Sequence, residues 1–213
     1  MAKLSITGFL ELQKQIEGLT KRISSYDPEA FCGKAAKELA ARLLAKVIKR
    51  TPVGRPPAFK GLGGSRIPKT LKVTSKDGKN RSFLSREGAI LEQYWAGYVG
   101  GTLRRGWTAK TEAEAASGGE VDAVAYANSL PVSQSGETYT ITIINPVNYA
   151  SYVEFGHVQT PGRYVPQIGK RLKESWVSGK LMLTKSEVEL RAQCPELLTA
   201  MLEKHLREVL LGQ

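Results

Sequence analysis

Residues 138–144 alternate strictly, and the alternation stops where a helix can begin. Tyr139, Ile141 and Ile143 fall on one side of the run and Thr138, Thr140 and Thr142 on the other. A period of two fits a half-buried strand and no helix. Asn145 then stands at an N-cap position, Pro146 at the first helical position, and Gly156 where a short helix would stop. Residues 132–134, a turn at Ser135-Gly136 and residues 138–144 together predict a β-hairpin. A chain that carries this pattern between long helical periodicities must set its helices against a small antiparallel sheet, and the fold class is α+β.

The helical periodicities are strong. Phe9, Leu12, Ile16, Leu19 and Ile23 predict an amphipathic helix over residues 7–24. Asp27-Pro28 restarts the chain as a second helix. There Phe31, Ala35, Leu39, Leu43 and Val47 recur every four residues, flanked by Ala36, Ala40, Leu44 and Ile48, until Thr51-Pro52 ends it. At the other terminus Thr184 and Glu187 read as a capping box for a closing helix. Val188, Cys194, Leu197, Met201, Leu202, Leu206 and Val209 line it, and Pro195 kinks it. Between these ends the sequence predicts a strand at 70–74, a turn at Lys76-Asp77-Gly78-Lys79, a helix within 85–98 and a strand at 103–110. Residues 112–128 are alanine-rich and fit helix or loop, and residues 159–180 read as a long loop. The domain expectation is one domain over residues 1–213, with a basic insert at about 55–100 and a loop at about 159–181.

Charge is concentrated. The net charge is +11, and residues 46–86 hold 12 basic residues against the single acid Asp77. Subtracting these from 31 basic and 20 acidic residues leaves 19 of each, so the whole excess sits in that segment. Such a block repels itself unless negative charge lies against it. Three readings stay open: contact with DNA phosphates, docking on an acidic protein surface, or a solvated loop. The acidic protein is favoured, because strong basic contacts lining a DNA channel would retard transit. Phe59, Phe83, Tyr94 and Trp95 interleave with the cations, but no sequence-reading motif accompanies them, so any DNA contact would be sequence-independent.

Catalytic constellations are not visible. Glu154 and His157 stand three apart as surface or interface groups, and the other histidine, His205, lies far off in sequence. No nucleophile elbow is present, and the glycines at 61–64 lack the Lys-Ser/Thr that a phosphate loop needs. The basic segment has almost none of the carboxylates a metal-dependent nuclease requires. Cys32 and Cys194 read as small buried hydrophobes. No enzyme, metal or cofactor is predicted. No apolar run is long enough to span a membrane and no signal peptide is recognisable, so the expectation is a soluble protein made in the host cytoplasm.

The string Asn145-Pro146-Val147-Asn148-Tyr149-Ala150-Ser151-Tyr152-Val153-Glu154-Phe155-Gly156-His157 has three companions: Thr51-Pro52-Val53-Gly54, Gly101-Thr102-Leu103-Arg104-Arg105-Gly106-Trp107 and Met182-Leu183-Thr184-Lys185-Ser186-Glu187. Together they resemble a family of tailed-phage tail components, the minor neck or tail-completion proteins encoded between the capsid and tail-tube genes. In typical members the first companion leads almost directly into the second; here residues 55–100 stand between them. The resemblance implies a non-catalytic virion protein of the head–tail neck, at the top of the tail. It would be a tail-completion or joining subunit acting as a homo-oligomeric ring, expected to be hexameric. It would contact the tail terminator or tail tube on one side and head connector or stopper proteins on the other, with DNA passing through the lumen. The tail terminator itself, and a sequence-independent DNA-binding protein using residues 46–86, are the alternatives.

Residues expected at partner surfaces are Lys69, Lys72, Lys76, Lys79, Arg104, Arg105, Arg163, Lys170 and Arg171. Trp107, Tyr149, Tyr152 and Phe155 are core or interface aromatics, with Trp107 and Tyr152 assigned to the core.

Overall fold

The computed structural model describes residues 14, 16–18, 20, 21, 24, 27–57, 70–74 and 76–211. Most of the first predicted helix, residues 7–24, therefore lies outside the described residues. Those described within it, among them Ile16, Thr20 and Ser24, are helical. The fold is α+β, and the chain divides into two compact units.

The first unit gathers Met1–Lys46, Asp122–Ile143 and Lys185–Gln213. Its opening helix, α1 (Pro28–Arg50), is capped by Asp27, whose Oδ1 accepts from the Glu29 and Ala30 amides at 2.9 and 3.1 Å. Ala35, Ala40, Ala41 and Leu44 are buried, as is Val47 further along the helix, whereas Leu39 and Leu43 are half-buried, so the buried side takes in members of the four-residue repeat and of its flank. A short helix, Ala123–Ser129, is fixed at both ends. Asp122 caps its start, and Lys37 Nζ donates to the Asn128 carbonyl at 2.8 Å near its end, where a cation offsets the helix dipole.

A hairpin follows, Ser133–Ser135 against Thr138–Thr140, in the register Ser133↔Thr140. Its turn is Gly136-Glu137, one residue beyond the expected position. The second strand stops at Thr140 rather than Ile144, because Pro131 on the partner side has no N–H to extend the ladder. The two faces nevertheless persist beyond the ladder: Tyr139, Ile141 and Ile143 are half-buried, and Thr138, Thr140 and Thr142 are exposed.

The closing helix, Met182–Leu211, begins earlier than a capping box at Thr184 would place it. Met182, Ser186 and Leu190 form its buried stripe, and Val188, expected inside, is exposed. Cys32 and Cys194 are half-buried free thiols. Pro195 sits inside this helix; Arg191, whose carbonyl it leaves without a helical donor, is exposed to water. Lys46 pairs with Glu189 at 3.5 Å, and the Phe31 and His205 rings stack with centroids 5.2 Å apart. Among the described residues no helix is long and apolar enough to cross a membrane.

The second unit holds Val47–Val121 and Ile144–Thr184. Within the insert, strands β1 (Thr70–Thr74) and β2 (Asn80–Leu84) pair antiparallel from Thr70↔Leu84 to Thr74↔Asn80, with the turn at the Lys-Asp-Gly-Lys sequence. Helix α2 (Arg86–Trp95) starts at Ser85, whose Oγ accepts from the Gly88 amide at 2.9 Å. The expected strand at 103–110 is instead a helical turn, Thr102–Arg105, running into a 3-10 turn, Gly106–Thr108. Leu103 and Trp107, which alternation would have placed on one strand face, are four apart and both buried on one helical side.

The segment after His157 is also more ordered than a loop. Gly156–Val158 pairs with Trp176–Ser178, and Tyr164–Val165 pairs with Lys170–Arg171, so the chain makes a folded-back arm with Pro166–Ile168 at its tip. That tip is held by the insert. Trp95 Nε1 donates to the Gln167 carbonyl at 2.7 Å, and Arg86 Nη2 donates to the Tyr164 hydroxyl at 3.3 Å.

The two ends of the insert meet. A Cβ placed on Gly100 would lie 2.5 Å from the Gly54 carbonyl oxygen. Segments whose ends adjoin in this way can be removed without stretching the body. Replacing residues 55–99 by a short Gly-Ser linker should therefore leave a folded protein that unfolds cooperatively, though with the arm tip loosened. Circular dichroism during thermal unfolding checks this; loss of a cooperative transition would show that the body needs the insert.

Candidate functional site

Thr51, the residue that ends α1, is fully buried and uses each of its polar groups. Its amide donates to the Val47 carbonyl at 2.9 Å, and its hydroxyl donates to the same carbonyl at 2.7 Å. The hydroxyl oxygen accepts from Trp107 Nε1 at 2.8 Å, which satisfies the buried indole N–H. Its carbonyl accepts from Arg104 Nε at 3.2 Å and Nη2 at 2.7 Å, a charge-assisted fork. The Thr-Pro-Val and Thr-Leu-Arg-Arg-Gly-Trp segments, separated by the insert in sequence, are thus one hydrogen-bonded unit.

Neighbouring bonds extend it. Arg105 Nε donates to the Ala115 carbonyl at 2.7 Å and its Nη1 to the Gly100 carbonyl at 3.0 Å. Arg104 and Arg105, expected at a partner surface, are therefore half-buried and turned onto the protein's own backbone. Asn145 is not a helix cap. Its Nδ2 donates to the Leu103 carbonyl at 2.9 Å, and its Oδ1 accepts from the Val147 amide at 3.2 Å. The next helix, Ala150–Phe155, begins later than Pro146, with Tyr149 at its N-cap position. Gly106 is where the two segments press together: a Cβ there would run into Asn145 Oδ1 and would lie 2.8 Å from Val147 Cγ2.

Glu154 closes the network. Its side chain is buried, and its carboxylate accepts from the Leu183 and Thr184 amides at 3.0 Å each and from the Thr184 hydroxyl at 2.8 Å. These are the unpaired donors of the first turn of the closing helix, so a carboxylate from another element does the work assigned to the Thr184–Glu187 capping box. Burial pushes the Glu154 pKa up. The hydrogen bonds from Thr184, Leu183 and Met182 more than offset that, and the net position is below the ordinary carboxylate value. A carboxylate committed this way leaves nothing for a metal shared with His157. Gly156, at φ +91°, ends the short helix; a Cβ there would strike the Val177 carbonyl and approach Trp176 at 2.9 Å.

This scaffold carries an exposed aromatic face. The core assignment of Tyr152 does not hold: it is 59% exposed, Phe155 is 66% exposed and Val158 is 77% exposed, while Trp107 is buried. Tyr149 and Trp176 are also exposed, and Trp176 stands opposite Val158 in the strand pair. A groove of about 650 Å³ is lined by Tyr149, Tyr152, Val153, Gly156, His157 and Val158. The Tyr152 and His157 rings meet edge to face at 5.9 Å. Burial, then Tyr98 and Glu112 nearby, raise the Tyr149 phenol above its ordinary value, so it remains a hydrogen-bond donor at neutral pH. Apolar surface gathered like this on a rigid support marks a contact site.

The basic candidates lie elsewhere. Lys72, Lys76 and Lys79 are exposed on the insert hairpin; Lys69 lies outside the described residues. Arg163, Lys170 and Arg171 are exposed on the arm, where Arg171 Nη1 donates to the Gly162 carbonyl at 2.7 Å. Sequence reasoning missed Glu154 as a cap, Trp176 as part of the aromatic face and the Trp95–Gln167 clamp. Each depends on a contact distant in sequence, and none left a local signal.

Glu154→Ala should cost about 2–3 kcal/mol, since it removes the cap and orphans donors in a buried place. Its folded pKa is depressed, so this stabilisation is complete above the unfolded carboxylate value of about 4.3 and fades as pH falls through the folded value. Urea unfolding of both proteins across pH checks this: the gap between them should be widest at neutral pH and close in acid.

No curated protein and no solved structure matches the chain. A family model described as "Bacteriophage HK97-gp10, putative tail-component" matches residues 11–156. That span takes in Thr51, Arg104, Trp107, Asn145 and Glu154, runs through the insert, and ends before the 182–187 motif. Matching well over half of its length, the chain belongs to the HK97-gp10-like family of bacteriophage tail components.

Proposed function

We propose that this protein is a structural subunit of the phage neck, a tail-completion or head–tail joining protein that works as a ring. The observation that carries the reading is the exposed aromatic face, Tyr149, Tyr152, Phe155, Val158 and Trp176, mounted on a network that spends its polar groups on holding its own backbone. Binding surfaces of assembly proteins gain affinity from aromatic anchors presented rigidly, because little freedom remains to be lost on docking. Membership in a tail-component family supplies the class of partner, which is other tail proteins.

In this reading the aromatic face makes the axial contact with the tail terminator or the top of the tail tube. The head side faces the connector or stopper proteins, and DNA passes through the lumen. The arm, braced by the insert at Trp95–Gln167, carries Trp176 opposite Val158.

The test is a phage carrying Tyr152→Ala and Phe155→Ala. Both side chains are mostly exposed, so the purified variant should melt within about 1 kcal/mol of the parent. Lysates should accumulate DNA-filled heads and finished tails that do not join, visible by negative-stain electron microscopy. Normal yields of joined particles, or a defect confined to the tail tip, would contradict the assignment.

A further inference from the structure

The insert hairpin is built as a plug. Leu71 and Phe83 stand directly opposite each other across β1 and β2, 46% and 54% exposed, and Arg81 lies on their face. Lys72 is on the other face, and Lys76 and Lys79 flank the turn. Counting Lys72, Lys76, Lys79 and Arg81 against Asp77, residues 70–84 carry net +3. A two-stranded hairpin exposed to water is marginal, and the described side chains of this one are exposed on both faces; its second strand leads directly into Ser85 and α2. It is shaped to be covered.

The chain itself supplies the opposite charge. Residues 111–121 contain Glu112, Glu114 and Glu120 and no basic residue, a net of −3. Exposed Ala113 and Ala116 lie between those carboxylates as flat apolar ground. Among the described residues none of these hairpin cations or carboxylates takes part in an ion pair.

We propose that the hairpin of one subunit docks on residues 111–121 of the next copy, with Leu71 and Phe83 against the alanines, Arg81 and the turn residues Lys76 and Lys79 over the carboxylates, and Lys72 adding to the positive field from the outer face. This rests on the ring reading above and names its lateral contact. A heterologous contact of this kind, one patch giving and another receiving, repeats around a closed ring. Duplex DNA would satisfy the cations but set the Leu71–Phe83 pair against phosphate, whereas a protein surface accommodates both. Complementary charge also selects the right neighbour and excludes the wrong face.

The experiment uses the full-length chain and three samples in analytical ultracentrifugation. One carries Lys72→Glu, Lys76→Glu, Lys79→Glu and Arg81→Glu. The second carries Glu112→Lys and Glu120→Lys, sparing Glu114, whose carboxylate accepts from the Lys110 amide at 2.8 Å. The third is their equimolar mixture. Each variant alone should sediment as a monomer with a normal thermal melt, and the mixture should form rings of alternating subunits. The parent ring should dissolve at about 1 M salt, where screening extends only about 3 Å. Rings that survive hairpin reversal would overturn this contact and leave the ring reading standing. A parent that is monomeric both free and in particles would overturn both. Parent binding to duplex DNA that is lost in the hairpin variant, with no ring from the mixture, would make the hairpin a nucleic-acid contact instead.

Discussion

Thr51 is the point on which the second unit turns. Its amide, hydroxyl and carbonyl are all engaged, and the partners come from both sides of the insert. A neutral hydrogen bond contributes about 0.5–1.5 kcal/mol net, and one to a charged group about 1.5–3. The larger effect is the asymmetry. Removing the hydroxyl would strand the Trp107 N–H in a buried site, at a cost of about 1–3 kcal/mol beyond the bond itself. A helix end, a helical turn and a guanidinium are therefore fixed relative to one another by one side chain and its peptide.

From that junction the remaining geometry follows in steps. The turn 102–108 is held by Arg104 and Arg105, so its Leu103 carbonyl is in place for Asn145. Asn145 ties the segment leading into Ala150–Phe155 to that turn, and Glu154 in that helix caps the first turn of the closing helix. Exposed Tyr152 and Phe155 ride on the same short helix as buried Glu154. Polar groups are spent inward and apolar surface is offered outward. The insert enters and leaves at Gly54 and Gly100, beside Thr51 but outside its bonds, so the body can carry an added hairpin without rebuilding the junction.

Much of the fold was legible because it is local. The strand at 70–74 and the Lys-Asp-Gly-Lys turn stand where they were expected, although the partner strand at 80–84 was not foreseen, and Asp27 and Gly156 bound their helices as capping chemistry requires. Failures came where a distant group won. Residues 103–110 read as a strand with Arg104 or Arg105 on its outward face, yet they are helical, and both arginines bond to backbone carbonyls of other segments. Asn145 has the look of a cap, and its Oδ1 accepts from the Val147 amide, but the helix begins only at Ala150 and the Asn145 amide ties the segment to Leu103. Thr184 and Glu187 match a capping box, and the real cap is Glu154, far earlier in the chain. Of the aromatic face, Tyr149, Tyr152 and Phe155 were singled out by their motif; whether they pointed in or out was decided by packing that no periodicity records.

A double-mutant cycle on Thr51→Val and Trp107→Phe, followed by chemical denaturation, tests the junction most directly. Thr51→Val strands the buried Trp107 N–H, Trp107→Phe takes the donor away from the Thr51 hydroxyl oxygen, and the double change removes both partners. The cycle should return a coupling energy of about 1–2 kcal/mol, with the double variant more stable than the sum of the single losses. Losses that simply add would mean that the Thr51–Trp107 bond holds nothing, and that the motifs are joined by packing alone.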